Sequence, residues 1–261
     1  DNVTHKTIKI TPNSKSWRCI SNKNAYLSSV AMKENTELYG WLSNELNTHM
    51  ITNHEWGAVA YLSKSEHGAH IEVVWNNSYM DFVTGCSGPE AKFSNYQTCI
   101  KYNTENGVKA STTHNIYGVY DMVGGAWERT MAGYNNVIGI SGFSSKELLA
   151  LPNNHLTKYT TTVSKLLNGI GMDYDINVYG DGVYETSDNA TRHNGSEWII
   201  GDFYNSWEIS RSSIPYNFKQ TWFDRGDSRQ SINIASVFSF NTSGADPYWV
   251  GTFRPILTPL K

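Results

Sequence analysis

Fourteen residues near the middle of the chain constrain its fold more than any others: Asn115-Ile-Tyr-Gly-Val-Tyr-Asp-Met-Val-Gly-Gly-Ala-Trp-Glu128. Aromatic and apolar side chains alternate here with glycines, a pattern for segments whose backbones must approach other structure closely. Tyr117, Tyr120, Met122 and Trp127 are the expected core side chains, and Gly124-Gly125 the expected point of close approach. Asp121 and Glu128 could be read as a carboxylate pair for acid–base chemistry. Set among core aromatics, they are instead expected to accept backbone or Arg hydrogen bonds that hold loops in place.

The other local signals are weaker but consistent. Thr52-Asn-His-Glu55 has the form of a capping box, and Trp56-Gly-Ala-Val-Ala-Tyr-Leu62 follows it. Trp56, Val59 and Ala60 then share one helical face, which should be core, and Glu55 is the cap. A short helix is expected over Ser144 to Leu151. Lys6-Thr-Ile-Lys-Ile10 alternates like a strand that Pro12 ends, within an opening segment of residues 1–50. Residues 66–115 read as long loops with short strands. Ile176 to Tyr184, with Gly-Asp-Gly at its centre, reads as a hairpin. From Trp198 to Leu257 short aromatic strands alternate with polar turns. No fixed-period repeat and no low-complexity linker divides the chain, so residues 1–261 read as a single α+β domain, irregular and loop-rich.

Composition narrows the function classes. The formal charge is −3 with both signs interspersed, which argues against a nucleic-acid partner. No window approaches ~18 uninterrupted apolar residues, so no membrane span is expected. Charged residues make up only 17 %, aromatics 13 %, and roughly one residue in ten is Asn. A surface built from Tyr, Trp, Ser, Gly and Asn is the composition of a recognition face. Apolar and aromatic residues run the whole length, which excludes a disordered chain. Of three cysteines, Cys86 and Cys99 lie in a Gly/Ser/Asn-rich stretch. A bridge between them would close a loop worth ~3 kcal/mol on chain-entropy grounds, with two free thiols as the alternative. Cys19 is then expected to be a small buried hydrophobe. The opening at Asp1, without Met or signal peptide, reads as a mature fragment. Disulfide and low Lys/Glu content point to an extracellular, cell-surface or virion location.

Four blocks occur in a telling order: Glu55-Trp-Gly-Ala-Val-Ala-Tyr-Leu62, the 115–128 block, Trp222-Phe-Asp-Arg-Gly226 and Phe253-Arg-Pro-Ile-Leu257. Over about residues 50–257 this resembles the formylglycine-generating-enzyme (sulfatase-modifying-factor) superfamily. Its blocks read N-x-Y-G-x-x-D-M-x-G-N-x-W-E, R-G-G-S-W and G-F-R. The resemblance implies a variant of the C-type lectin fold, with few helices, short twisted strands and much irregular loop. It also shows departures. Oxidase members hold copper with paired cysteines in the C-terminal block, and residues 225–240 here contain none. A thiolate metal site cannot be built without thiols. Likewise R-G-G-S-W has become Arg225-Gly-Asp-Ser-Arg229, and G-F-R has become Thr252-Phe-Arg254.

What remains similar is the non-catalytic branch, which includes the variable proteins of diversity-generating retroelements. That resemblance implies a diversified ligand-binding region at residues 200–257. Trp222, Phe223, Arg225, Gly226, Phe238, Phe240, Gly244, Phe253, Arg254 and Pro255 would be its framework. Among them stand the expected ligand-binding residues Asp224, Asp227, Ser228, Arg229, Asn233 and Ile234. Asn241, Thr242, Tyr248, Trp249 and Val250 continue the set, with Tyr204 and Trp207 from an earlier loop. Exposed Tyr, Trp and Arg are the side chains that make hot spots. The implied partner is a protein or glycan on another cell or virion, and the oligomeric state is left open.

No catalytic residue and no metal ligand is expected. No nucleophile elbow, phosphate loop, dinucleotide fingerprint or H-E-x-x-H occurs. His67-Gly-Ala-His70-Ile-Glu72 has metal-like spacing but polar, flexible neighbours and no second ligand cluster, so it reads as solvated surface. Asp173-Tyr-Asp-Ile-Asn177 begins like an EF-hand loop, yet Val178 stands where the loop needs Gly and Tyr184 where it needs Glu. A looser calcium site is the only cofactor alternative, since oxygen-rich loops of the resembled fold can hold calcium. The E-P-N and W-N-D triplets of calcium-dependent sugar binding are absent. Two other functions stay open: an altered oxidase that rebuilt its site from other residues, and a fixed-specificity pilus or tail-fibre tip.

Overall fold

The computed structural model describes residues 7–10, 16–63, 65–69, 101–122, 126–134, 136–159, 191–193, 198–200, 222–226, 240–247 and 251–260. Within these the chain is α+β, with short helices and small sheets. The expected hairpin at 176–184, the Cys86–Cys99 pair, Gly124-Gly125 and the Asp173–Asn177 loop lie outside the described residues.

The organising element is β2, Trp127–Tyr134, which carries the end of the glycine-rich block. On one edge β6 (Trp222–Arg225) pairs with it antiparallel, and β7 (Phe240–Ser243) pairs antiparallel with β6. The opposite edge of β2 is shared by three separate parts of the chain. β8 (Gly251–Phe253) runs parallel to its first half, and β3 (Thr157–Tyr159) runs parallel to its last residues. Between them Thr52 bridges Met131, whose N–H donates to the Ile51 carbonyl at 2.8 Å. A central strand thus has its backbone groups satisfied on both sides, as burial demands. The β2–β6 register shifts between Arg129 and Gly133, and the Thr130 hydroxyl there donates to the Phe223 carbonyl at 3.2 Å.

A second, two-stranded sheet pairs β1 (Leu46–Met50) with β9 (Pro255–Pro259) antiparallel. β4 (Thr191–His193) and β5 (Trp198–Ile200) form a separate antiparallel pair. Helix α1 (Asn22–Val30) starts at Ser21, whose hydroxyl accepts from the Asn24 N–H. A 3-10 turn, Ala31–Glu34, and the one-turn helix α2, Thr36–Tyr39, follow it. Helix α3, Asn53–Leu62, has the full capping box at Thr52 and Glu55, and α4, Ser145–Leu149, has another at Ser144 and Glu147. Both helices therefore begin where their sequences say, because a capping box is a local code.

Among the described residues two apolar clusters form the core. The larger joins Tyr26 of α1, Met50, Met131, Phe143, Leu148, Leu156 and Trp222. The smaller joins Ile51, Trp56, Ala60 and Met122, with Val59 packed at its edge. Phe143 stacks on Trp222 with centroids 5.8 Å apart, and the Trp222 indole N–H donates to the Ile138 carbonyl at 3.1 Å.

Several expectations need correction. Residues 7–10 form no strand: Ile8 is buried, with its carbonyl accepting from the Tyr39 hydroxyl, while Ile10 is exposed. Cys19 is an exposed free thiol at a positive φ of 58°, because the bend before α1 turns it outward and sends Ile20 into the core instead. In the glycine-rich block Met122 is core, Tyr120 and Trp127 are half-buried, and Tyr117 is 88 % exposed. Tyr117 sits at the tip of a turn in which the Asn115 side-chain oxygen accepts from its N–H at 2.9 Å. The turn aims the ring away from the core that supports Met122.

Candidate ligand-binding face

Under the C-terminal segment lies a buried group of charges around one indole. Trp56 is fully buried in α3, and the guanidinium carbons of Arg225 and Arg254 stand 5.8 and 6.0 Å from its ring, within cation–π range. Arg225, fully buried at the end of β6, donates to the side-chain oxygen of Asn53. The Asn53 amide donates in turn to the Tyr159 hydroxyl at 2.5 Å. Arg254 meets the Glu128 carboxylate with two donors, Nε at 2.8 Å and a second, shorter contact from Nη2. Nη2 also donates to the backbone carbonyls of Tyr120 and Asp121, at 3.0 and 3.4 Å. Burial works against the Arg254 charge, but the facing Glu128 outweighs it and holds the guanidinium more firmly protonated than usual. Glu128 therefore has the loop-fastening role expected of it, through Arg. At Asp121 the backbone carbonyl takes that part.

This cluster sets the geometry above it. Thr252, Glu128, Arg225 and Phe240 form one row across four strands. Gly226 and Gly251 lie one residue further toward the same end of the sheet. Gly226 has φ +79°, and a Cβ there would stand 2.7 Å from the Met122 carbonyl oxygen and 3.1 Å from the Trp56 ring. Gly251 is equally constrained, because a Cβ would meet Arg129 Nε at 2.3 Å. Gly226 and Phe240, which flank residues 227–239, and Gly251, which follows residues 248–250, thus share one end of one sheet. Next to it, through Met122, stands the turn whose tip carries Ile116 and Tyr117, both exposed.

The expected ligand-binding residues fare differently. Asp224 is not on a surface: it is 7 % exposed in β6, with Arg129 opposite it in β2 and Asn241 opposite it in β7. All four β6 residues are buried, since the sheet is covered on both faces, and alternation along the strand therefore leaves no outward position. Asn241 and Thr242 are in β7, paired with Asp224 and Phe223. Tyr204, Trp207, Asp227, Ser228, Arg229, Asn233, Ile234, Tyr248, Trp249 and Val250 lie outside the described residues. Of the expected framework, Trp222, Phe223, Arg225 and Gly226 are buried and Arg254 is tied to Glu128.

Among the described residues no group of three His, Cys, Asp or Glu is placed to hold a metal ion. His67 is exposed and 3.5 Å from Glu66. No helix among them is long and apolar enough to cross a membrane.

A second buried polar group escaped the sequence analysis. His49 and His155 stack face to face with centroids 4.3 Å apart. The His49 Nε2 faces Glu55 at 2.8 Å, and the His155 Nδ1 faces the Tyr26 hydroxyl at 2.9 Å. Neither histidine belongs to a motif, and 106 positions separate them, so no sequence signal pairs them. No protein-family model matches the chain, and no curated protein is significantly similar to it.

Proposed function

We propose that this protein is a non-catalytic binding protein. It displays a diversified surface from its C-terminal segment on a C-type lectin scaffold of the formylglycine-generating-enzyme-like kind. The observation that carries the reading is the convergence just described. Gly226 and Phe240, which flank residues 227–239, and Gly251, which follows residues 248–250, meet at one end of a sheet in which β6, Glu128 and Arg129 are buried. The reading requires that the side chains of those segments vary without disturbing Trp56, Arg225, Arg254 or Glu128. The ordered blocks at 55–62, 115–128, 222–226 and 253–257 support the scaffold assignment, and the lack of cysteine at 225–240 supports a departure from oxidase chemistry.

The partner is a protein or glycan on another cell or a virion, and the setting is extracellular, cell-surface or virion-borne. Aromatic anchors inside a polar rim would supply the contact energy. Tyr117, exposed on its own hydrogen-bonded turn, is a further candidate anchor that lies outside the segment.

The deciding experiment is to sequence the DNA around the 3′ end of the gene. The reading requires a near-copy of the stretch encoding residues 200–257, differing almost only at adenines, beside a reverse transcriptase. Absence of such a copy removes diversification and leaves a fixed-specificity adhesin or tail-fibre tip.

A further inference from the structure

Four parts of the chain meet at the stacked imidazoles. His49 belongs to β1, and His155 ends the 3-10 turn Asn153–His155 that leads into β3. Both are buried, His49 to 1 % exposure and His155 to 6 %. Among the described residues the following groups surround His155. Tyr26 of α1 faces Nδ1, and the Asn47 amide of β1 faces Nε2 at 3.2 Å. The His49 ring covers one face, with Glu55 of α3 behind it and Lys33 of the turn after α1 as the remaining nearby charge.

This arrangement suits a neutral His155. With the Asn47 Nδ2 toward it, as the amide is assigned, Nε2 accepts and Nδ1–H donates to the Tyr26 oxygen. A proton on Nε2 would set donor against donor, inside a buried site and against a second imidazole. The single nearby carboxylate, Glu55, is already taken by His49 and by the Thr52 N–H and hydroxyl, at 2.9 and 2.8 Å.

We propose that this junction is an acid-opened latch: proton uptake at His155 releases the 153–155 turn and β3 from α1 and β1. The inference is independent of what the chain binds. Burial first, and the neighbouring His49 second, push the His155 pKa down to about 4, with Glu55 opposing and Lys33 adding to the fall. What the latch holds matters to the scaffold. Leu156 is in the larger core cluster, and the Tyr159 ring meets Phe223 of β6 edge-on at 5.2 Å. Opening loosens the support of the strand that leads to residue 227.

The test is hydrogen exchange on the full chain between pH 7 and 4.5, expressed as protection factors so that intrinsic exchange cancels. Peptides covering 153–159 should lose protection about tenfold per pH unit below ~6.5, the slope of one linked proton. Peptides covering 127–131 should not follow that slope. The His155→Gln variant keeps an amide for Tyr26 and Asn47 but binds no proton, and its 153–159 protection should be flat over the same range. If that variant does not fold, the His155 ring resonance of the wild-type chain decides. It should titrate well below ~6.5, at the low-pH end of the range over which protection is lost. A flat wild-type profile, a variant that retains the slope, or a His155 resonance titrating near 6.5 overturns the latch.

Discussion

Around Trp56 the chain buries full charges, two guanidiniums and a carboxylate, whereas around His49 and His155 it buries groups that can shed theirs. At the first, Arg225 and Arg254 cannot deprotonate, so each needs a permanent partner and finds one in Asn53 or Glu128. At the second, His155 stacks within 4.3 Å of His49 because burial and that neighbour favour its neutral form. The difference teaches where the fold tolerates a change of solution conditions. The arginines of the Trp56 cluster keep their charge, and burial raises the pKa of Glu128 despite the facing Arg254, whereas the histidine junction is the part that acid destabilises.

Removing one partner at the fixed cluster is the severest way to break the contrast. Arg254→Met leaves Glu128, 8 % exposed at its side chain, as a carboxylate without its cation. Loss of one partner of a buried pair costs ~3–5 kcal/mol, which a urea midpoint would register directly. A loss below ~1 kcal/mol would mean that the pair is solvent-screened like a surface bridge and that the two clusters do not differ as described.

Acid should destabilise through the other cluster, because Glu128, its pKa raised by burial, binds a proton at least as readily folded as unfolded. His155 has a folded value of about 4 against ~6.5 unfolded, so the unfolded chain takes the proton first. The stability it contributes is present above ~6.5 and is lost as pH falls toward 4. Glu55 adds in the same sense: burial would raise its pKa, but bonds from His49 and Thr52 outweigh burial and hold it below the ordinary range. Its contribution is present above the unfolded carboxylate value and is lost as pH falls through the lower folded one. The His155 shift corresponds to ~3 kcal/mol unscreened and about 1–2 kcal/mol after allowance for solvent. Urea midpoints at pH 7 and pH 4.5 would measure it, and an unchanged midpoint would sink the assignment.

Thr52→Ala sharpens the same comparison, because Thr52 serves both regions. It caps α3, which carries Trp56, and it holds Glu55 against His49. Loss of such a cap costs ~1 kcal/mol. The variant should also make the remaining stability less steep in acid, read by repeating the two midpoints. An equal loss at both pH values would confine Thr52 to capping.

What was legible follows from the range of the interactions. The box at Thr52 was plain because cap and partner are three residues apart, and the same local code stands at Ser144, where only a short helix was expected. Glu128 was expected to accept from backbone or an Arg, and the Arg it meets lies 126 positions away, beyond any local signal. Asp224 was set among the binding residues by the resemblance alone, and nothing in Trp-Phe-Asp-Arg shows that the strand is buried between β2 and β7. The His49–His155 contact was invisible, as two isolated histidines carry no spacing that would bring them together.

Tyr117 gives the smallest expected effect and the sharpest check on the glycine-rich block. Its ring is 88 % exposed, so Tyr117→Ala should shift the urea midpoint by less than ~0.5 kcal/mol. A core aromatic, as the sequence pattern suggested, would cost ~3–5 kcal/mol on truncation. Hydrogen bonds within the turn tie it together: the Ser111 hydroxyl donates to the Asn115 carbonyl at 2.8 Å, and the Thr112 hydroxyl accepts from the Val119 N–H at 3.1 Å. What the tip presents is therefore an apolar pair, Ile116 and Tyr117, on a stiff support. If the binding face includes it, Tyr117→Ala weakens the ligand at least tenfold while the fold is untouched, a combination that a purely structural tyrosine cannot produce.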